Sequence, residues 1–180
     1  MTVPNLITAI RIILAPVFII YLINDDFILA LIVFIICGLS DGIDGLMARI
    51  FNQKSTLGTY LDPIADKIVL VSAFIALSVR GFLPPWLTVM VIARDTLILL
   101  GVFVLFLNQL DLNIKPSILS KITTCLQFIT VIVALSKEYL PLSSNHFLFI
   151  FYVTAIFTIS SGLHYMYYWF KVMGDDSDDR

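Results

Sequence analysis

Six long apolar runs dominate this chain and limit what it can fold into. Each is about 20 residues long, which at about 1.5 Å per residue is the helix length needed to cross a hydrocarbon core of about 30 Å. With 59% of its residues hydrophobic and 13% charged, the chain has more apolar surface than a soluble domain of 180 residues could bury. The sequence therefore predicts an all-α integral membrane protein with about six transmembrane helices. The predicted spans are Leu6–Ile23, Phe27–Ile50, Thr59–Val79, Trp86–Leu107, Ile118–Leu135 and Phe147–Phe170.

The links between these runs are short, so we expect one transmembrane domain over residues 1–172 and an acidic flexible tail over residues 173–180. Lysine and arginine residues concentrate at one set of span ends. By the positive-inside rule, both termini and the segment from Asp41 to Asp66 then lie in the cytoplasm. We expect a bacterial inner-membrane protein whose functional site faces the cytoplasm.

Four aspartates interrupt the apolar pattern in the second and third runs. Asp41 and Asp44 are three residues apart, and Asp62 and Asp66 are four apart, so each pair shares one face of its helix. A helical hairpin would bring the two pairs together near the membrane boundary, where four like charges repel strongly. One or two divalent cations would remove this repulsion, and oxygen ligands favour Mg²⁺ or Mn²⁺.

Two other interpretations of the aspartates stay open at this point. The carboxylates could form structural salt bridges with Arg49, Lys54 and Lys67, or they could line the ion or proton pathway of a transporter. A transporter pathway predicts acidic residues at the membrane midplane on several helices. Here they cluster at one boundary on two consecutive helices, which favours chemistry at the membrane surface.

Small residues lie next to the aspartates. Gly45 and Ala48 leave bare backbone beside Asp44, and Gly58 begins the third helix. Such residues commonly allow membrane helices to pack closely. Beside carboxylates that bind metal, and with Arg49 available for phosphate oxygens, the same patch also suits a flat ligand that carries phosphates.

The segment DGIDGLMARIFNQKSTLGTYLDPIAD resembles the signature of the CDP-alcohol phosphatidyltransferase family, which is D-x-x-D-G-x-x-A-R, eight residues, then G-x-x-x-D-x-x-x-D. The chain has the required residue at every fixed position, and agreement at so many positions is not expected by chance. The matching residues are Asp41, Asp44, Gly45, Ala48, Arg49, Gly58, Asp62 and Asp66.

The resemblance implies a six-helix membrane fold, a homodimer, and two divalent ions held by the four aspartates. It implies CDP-diacylglycerol as the donor, with its lipid tails in the bilayer and its CDP head beside Gly45, Ala48 and Arg49, near Gly58. It assigns Asp66 as the base that deprotonates the acceptor hydroxyl, which attacks the β-phosphorus and releases CMP. The partners are then the donor, the acceptor and membrane lipids, with no role for nucleic acid.

The acceptor is predicted from the second half of the chain. Segments such as LPPWLTVMVIARDTLILLGVF resemble the cardiolipin synthase branch of the family, whose acceptor is phosphatidylglycerol. The alternative branch, the phosphatidylglycerophosphate synthases, uses glycerol-3-phosphate and usually has Arg-Glu where this chain has Arg94-Asp95. Arg94 and Lys121 are the candidate ligands of the acceptor phosphate in either case. Both could instead be interfacial residues whose charges extend towards water.

Three polar residues of the first predicted helix, Asn5, Thr8 and Arg11, are spaced three apart. Asn5 and Thr8 could cap the start of the helix. The resemblance places this helix beside the CDP diphosphate, so all three are further candidates for CDP binding.

Overall fold

The computed structural model describes the backbone of residues 3–50, 56–107, 117–139 and 143–178, and most side chains within residues 10–40, 67–101, 117–137 and 143–170. Every regular element in these ranges is helical, so the all-α prediction is confirmed. Each predicted apolar run corresponds to one helix. The helices are α1 (Val3–Ile23), α2 (Phe27–Ile50), α3 (Thr56–Val79), α4 (Pro85–Leu107), α5 (Ile118–Leu135) and α6 (Ser144–Asp178), with a short 3₁₀ helix at Ser136–Glu138.

Two helices end in the same type of hydrogen-bonded turn. After α3, Gly81 has φ 75°, and the amide of Phe82 donates to the carbonyl of Leu77 at 2.9 Å. This left-handed residue with a six-to-one hydrogen bond is the Schellman motif, in which glycine is preferred. After α1, Asp25 holds the equivalent position with φ 63°. Its carboxylate forms an ion pair with Arg80, which joins the two turns.

The helices pack as two connected groups. Helix α1 packs against both α2 and α3, and α6 packs against both α4 and α5. Contacts of α3 with α4 and α5, and of α2 with α5, join the groups. Phe18 of α1 and Phe34 of α2 are fully buried with ring centroids 5.6 Å apart, so aromatic packing fills the first group. The region that carries the aspartate motif therefore lies on helices that contact α1, α4 and α5.

Gly38 allows α2 and α5 to approach closely. A Cβ atom built on Gly38 would lie 2.3 Å from Cε1 of Phe128, which is closer than any normal carbon contact. The Phe128 ring fits over the bare backbone and stacks on Phe34, with centroids 4.6 Å apart. Small residues at such crossings are typical of membrane helices, because lipid gives no hydrophobic drive for helix association and close contact must supply it.

The outer surface of the described helices is apolar. Among the described residues, two helical stretches are long and apolar enough to cross a membrane, Ile118–Leu135 and Ser144–Phe170, and only 33% and 39% of each is buried within the protein. Core helices of soluble proteins are mostly buried, whereas residues such as Val89 and Phe149 are 65% and 69% exposed here. The fold is thus suited to a membrane, while six complete spans stay a prediction.

Helix α6 extends beyond the predicted membrane segment. Its backbone is helical to Asp178, so residues 173–178, which the sequence analysis places in an acidic tail, continue the helix. The flexibility of this tail and the domain boundary at residue 172 stay predictions, and residues 179–180 lie outside the described backbone.

The contact between Gly38 and Phe128 predicts that the effect of Gly38→Ala on stability depends on whether Phe128 is present. Gly38→Ala should destabilise the protein by about 1–3 kcal/mol, because the added methyl overpacks the crossing. In a Phe128→Ala background the same change should be neutral or stabilising by up to about 1 kcal/mol, because alanine is the better helix former. The free energy of unfolding in detergent micelles is measured for the wild type, the two single variants and the double variant. Equal effects of Gly38→Ala in both backgrounds would show that Phe128 does not limit the space.

Candidate functional site

The aspartate motif lies on two helices. Asp41 and Asp44 fall near the end of α2, and Asp62 and Asp66 fall in the first half of α3. Helical backbone at these positions is what the prediction of shared faces requires. No group of three or more His, Cys, Asp or Glu residues that could hold a metal occurs among the described side chains, which do not include these four. Their oxygen chemistry fits a divalent cation, and the metal site stays a prediction.

Most of the other predicted ligands of CDP also have side chains outside the described residues. Their backbone lies in α1, in the last part of α2 and at the start of α3. Their roles in binding CDP stay predictions. These residues are Asn5, Thr8, Gly45, Ala48, Arg49 and Gly58.

Arg11 is the one predicted ligand of CDP whose side chain is described. It is only 2% exposed, and it belongs to α1, which packs against both α2 and α3. A guanidinium carries its charge at every physiological pH. Helix α1 therefore places a permanent positive charge inside the bundle, against the two helices that carry the aspartates. Such a charge favours either carboxylates or a phosphate ligand.

A second polar site lies where four helices meet. We call it the Arg94 cluster, and it consists of Lys67 (α3), Arg94 and Asp95 (α4), Ser120 (α5) and Ser161 (α6). The guanidinium of Arg94 donates from Nη1 to Oδ1 of Asp95 at 2.7 Å and from Nη2 to the hydroxyl oxygens of Ser120 at 2.6 Å and Ser161 at 2.8 Å. Its Nε also donates to Ser161 at 3.2 Å.

The position of Arg94 decides between the two interpretations of this residue. Its side chain is 3% exposed and hydrogen-bonded on three sides, so it does not extend towards water as an interfacial arginine would. Arg94 and Asp95 thus lie together in a buried polar cluster. Whether Arg94 contacts an acceptor phosphate stays a prediction.

Lys121 behaves differently from Arg94. It is exposed on α5, and within the described part of the chain it forms no hydrogen bond or ion pair with the Arg94 cluster. The structure thus brings Ser120, rather than its neighbour Lys121, to the guanidinium. Exposure is what the interfacial interpretation expects of Lys121, and its proposed role as an acceptor ligand stays a prediction.

Asp95 and Lys67 form a contact that the sequence analysis missed. Lys67 Nζ lies 2.6 Å from Oδ1 of Asp95, the same oxygen that accepts from Arg94. Sequence reasoning considered Lys67 only as a partner for the motif aspartates, because it directly follows Asp66. This ion pair connects the motif helix α3 to α4. The side chain of Asp95 is 4% exposed, and that of Lys67 is 30% exposed.

Below the Arg94 cluster, polar side chains continue along the contact between α5 and α6. Thr130 and Thr154 share a hydrogen bond of 2.7 Å between their hydroxyl groups, and Gln127 Nε2 donates to Thr158 at 3.4 Å. Thr123 donates to the carbonyl of Phe157 at 3.1 Å. The sequence does carry a signal for this polar seam, because hydroxyl and amide residues recur every three or four positions in two otherwise apolar helices. The seam holds α5 and α6 in the register that brings Ser120 and Ser161 to Arg94.

Comparison with known proteins identifies the family. The profile of the CDP-alcohol phosphatidyltransferase family matches residues 1–170. The chain belongs to this family. The match includes the aspartate motif as well as the helices that form the Arg94 cluster.

Three relatives within this family are informative. The chain is 33% identical over 184 residues to proteins named cardiolipin synthase (CMP-forming) from Rattus norvegicus and Homo sapiens, which covers 93% of this chain and 61% of each relative. It is 34% identical over 119 residues to a probable phosphatidylglycerophosphate synthase from Mycobacterium tuberculosis, which covers 63% of this chain and 55% of that protein. The chain thus spans about three fifths of the length of the first two relatives.

Arg94 and Arg80 each pair with an aspartate, but we expect Arg94 to contribute much more to the free energy of unfolding. Arg94→Met should destabilise the protein by about 3–5 kcal/mol, because it leaves the buried Asp95 carboxylate with one cation fewer and removes the bonds to two serines. Arg80→Met, which breaks the partly exposed pair with Asp25, should cost less than about 1 kcal/mol. Denaturant unfolding in micelles compares the two variants directly. Equal losses would mean that burial of Arg94 does not determine its contribution.

Proposed function

We propose that this chain transfers the phosphatidyl group of CDP-diacylglycerol to phosphatidylglycerol, forming cardiolipin and releasing CMP. The observation that carries the proposal is the 33% identity, along 93% of the chain, to proteins named CMP-forming cardiolipin synthases. The complete aspartate signature supports it. We further propose six membrane spans and a homodimer in a bacterial inner membrane, with the site facing the cytoplasm.

The proposed metal site consists of Asp41, Asp44, Asp62 and Asp66. Two divalent ions, Mg²⁺ or Mn²⁺, would supply positive charge that neutralises the donor diphosphate and stabilises the departing CMP. The acidic oxygens of the motif suit such ions, and the spacing of each pair along helical backbone allows both members to bind from one face.

Asp66 also moves the proton, and the remaining motif residues bind the donor. Asp66 accepts the proton of the acceptor hydroxyl, whose oxygen bonds to the β-phosphorus of the donor. The bond from that phosphorus to the oxygen shared with the α-phosphate breaks, and CMP leaves with this oxygen. In this proposal Gly45, Ala48 and Gly58 leave space for the CDP head, and Arg49 and Arg11 hold its phosphates. Asn5 and Thr8 are additional donor ligands in this proposal.

A small apolar groove between α4 and α6 is compatible with a lipid as the acceptor. Leu97 and Ile98 of α4 and Gly162 and Tyr165 of α6 line it, together with three further residues of α6, Met166, Tyr168 and Trp169. The groove begins beside the Arg94 cluster, since a Cβ built on Gly162 would lie 3.7 Å from Cγ of Arg94. Acyl chains pack against such a surface, whereas a water-soluble acceptor does not need one. In this proposal Arg94 and Lys121 lie near the acceptor phosphate.

The second candidate function is transfer to glycerol-3-phosphate. The relative from Mycobacterium tuberculosis, named a probable phosphatidylglycerophosphate synthase, supports it, although the similarity covers 63% of this chain rather than 93%. The chemistry at the aspartate motif is the same for both acceptors. Ion or proton transport, which the acidic cluster alone left open, gains no support from the family to which the chain belongs.

The acceptor is tested by CMP release from purified protein in micelles. We expect release with CDP-diacylglycerol and phosphatidylglycerol, loss of release in EDTA, and recovery with Mg²⁺ or Mn²⁺. Glycerol-3-phosphate should be a poor acceptor. Efficient use of glycerol-3-phosphate with phosphatidylglycerol inert would favour the second candidate. Movement of ions across sealed vesicles without any CMP release would instead support the transporter.

Substitution by asparagine should affect turnover and metal binding differently at Asp66 than at the other three motif aspartates. Asp66→Asn should lower kcat by roughly 10²–10⁴-fold, the usual cost of a lost general base, and should leave donor binding nearly unchanged. Replacement of Asp41, Asp44 or Asp62 should weaken binding of the metal as well as turnover, since these three act mainly as ligands. Asp66→Asn, in contrast, keeps a ligand oxygen and loses only the ability to accept a proton.

Calorimetry of CDP-diacylglycerol and Mn²⁺ binding, measured beside CMP release, distinguishes the two effects. Asp25→Asn is the matched control, because this carboxylate pairs with Arg80 away from the motif and asparagine tolerates its positive φ. Near-normal turnover of Asp66→Asn would remove Asp66 as the base.

A further inference from the structure

Asp95 has one carboxylate oxygen that its partners in the protein do not use. Its Oδ1 accepts from both Lys67 and Arg94, at 2.6 and 2.7 Å. Its Oδ2 is buried and accepts no hydrogen bond from any described residue. The side chain as a whole is 4% exposed, so bulk water does not solvate this oxygen. A buried acceptor without a donor is costly, by about 1–3 kcal/mol or more for a charged group.

The structural role of the cluster does not account for this oxygen. Both ion pairs and every hydrogen bond that ties Asp95 to the bundle use Oδ1 alone. A fixed carboxylate oxygen can only accept, so its natural partner is a hydroxyl or an N–H group. Sites that keep a buried polar atom for a substrate hydroxyl discriminate strongly against analogues that lack the hydroxyl, because the atom is then left unpaired.

The location of Asp95 identifies which hydroxyl this is. Its ion-pair partner Lys67 directly follows Asp66, the proposed base, so Asp95 lies beside the turn of α3 that handles the reacting hydroxyl. Lys67 is also the most exposed charged member of the cluster, at 30%. In both candidate acceptors the reacting primary hydroxyl of the glycerol unit has a secondary hydroxyl on the adjacent carbon.

We propose that Oδ2 of Asp95 accepts a hydrogen bond from the secondary, non-reacting hydroxyl of the glycerol unit of the acceptor. Asp95 is then a specificity-determining residue for glycerol-type acceptors, held in place by Lys67 and Arg94. This inference rests on the proposed phosphatidyl transfer. The hydrogen bond to Asp95 would be a contact with the acceptor that neither the aspartate motif nor Arg94 and Lys121 provide.

The test pairs a change in the acceptor with a change in the protein. Phosphatidyl-1,3-propanediol keeps the reacting primary hydroxyl of phosphatidylglycerol and lacks the secondary one. We expect wild-type protein to show kcat/KM about 10- to 100-fold lower with this analogue, the usual effect of losing a hydrogen bond to a charged group. In Asp95→Ala the two lipids should be used at nearly equal rates, however low both rates are. If glycerol-3-phosphate proves to be the acceptor, 3-hydroxypropyl phosphate is the corresponding analogue.

Asp25→Asn serves as the matched control, because it neutralises another arginine-paired aspartate and should keep the wild-type discrimination. Equal use of the two lipids by wild-type protein would overturn the inference even if no Asp95 variant folds. Discrimination that persists unchanged in Asp95→Ala would also overturn it. Wild-type protein that releases no CMP with any acceptor would contradict the proposed function itself, and the inference would fall with it.

Discussion

A guanidinium group buried among apolar helices is the constraint on which much of the remaining structure depends. Arg94 cannot lose its charge, and at 3% exposure it cannot reach water, so its acceptors must come from the protein. They come from Asp95 on its own helix, from Ser120 on α5 and from Ser161 on α6. Asp95 in turn accepts from Lys67 on α3. A rotation of any of these helices would leave a buried charge poorly paired, so this one group fixes the register of four helices.

The apolar exterior explains why the register needs such a device. In a lipid environment, apolar surface gains little from contact between helices, and hydrogen bonds and close backbone approach must provide specificity. The seam of α5 and α6 supplies hydrogen bonds, as between Thr130 and Thr154. Glycine supplies close approach where α2 meets α5 at Gly38, and again where Gly101 lies against Trp169 of α6. The aspartate motif gains a defined orientation relative to α4 and α5 from these contacts, although it takes no part in most of them.

The sequence predicted the helices well and their contacts poorly, for physical reasons. The length of each apolar run and the turn residues around Gly81 limit the helices, so their number and approximate bounds follow from local chemistry. The sequence singled out Arg94 and Lys121 alike, and only the packing of the helices shows that Arg94 is buried while Lys121 is exposed. The contact of Lys67 with Asp95 depends on how α3 and α4 face each other, and no local pattern contains that information. The motif aspartates were recognised by their spacing, which is a local property of the sequence. Their side chains lie outside the described residues, so their roles stay predictions.

The Arg94 cluster does not distinguish between the two candidate acceptors, so the choice between them depends on apolar surface outside the cluster. Both acceptors contain a phosphate and a glycerol unit, so the two cations and one carboxylate of the Arg94 cluster would favour both alike. The acceptors differ in their acyl chains, which only phosphatidylglycerol carries. A surface that recognises this difference must be apolar, must be open to lipid, and must begin next to the polar cluster. The groove from Gly162 along α4 and α6 meets all three conditions. Under the proposed function, the lipid-facing helices would then select the acceptor, and the buried charges would set the chemistry that both acceptors share.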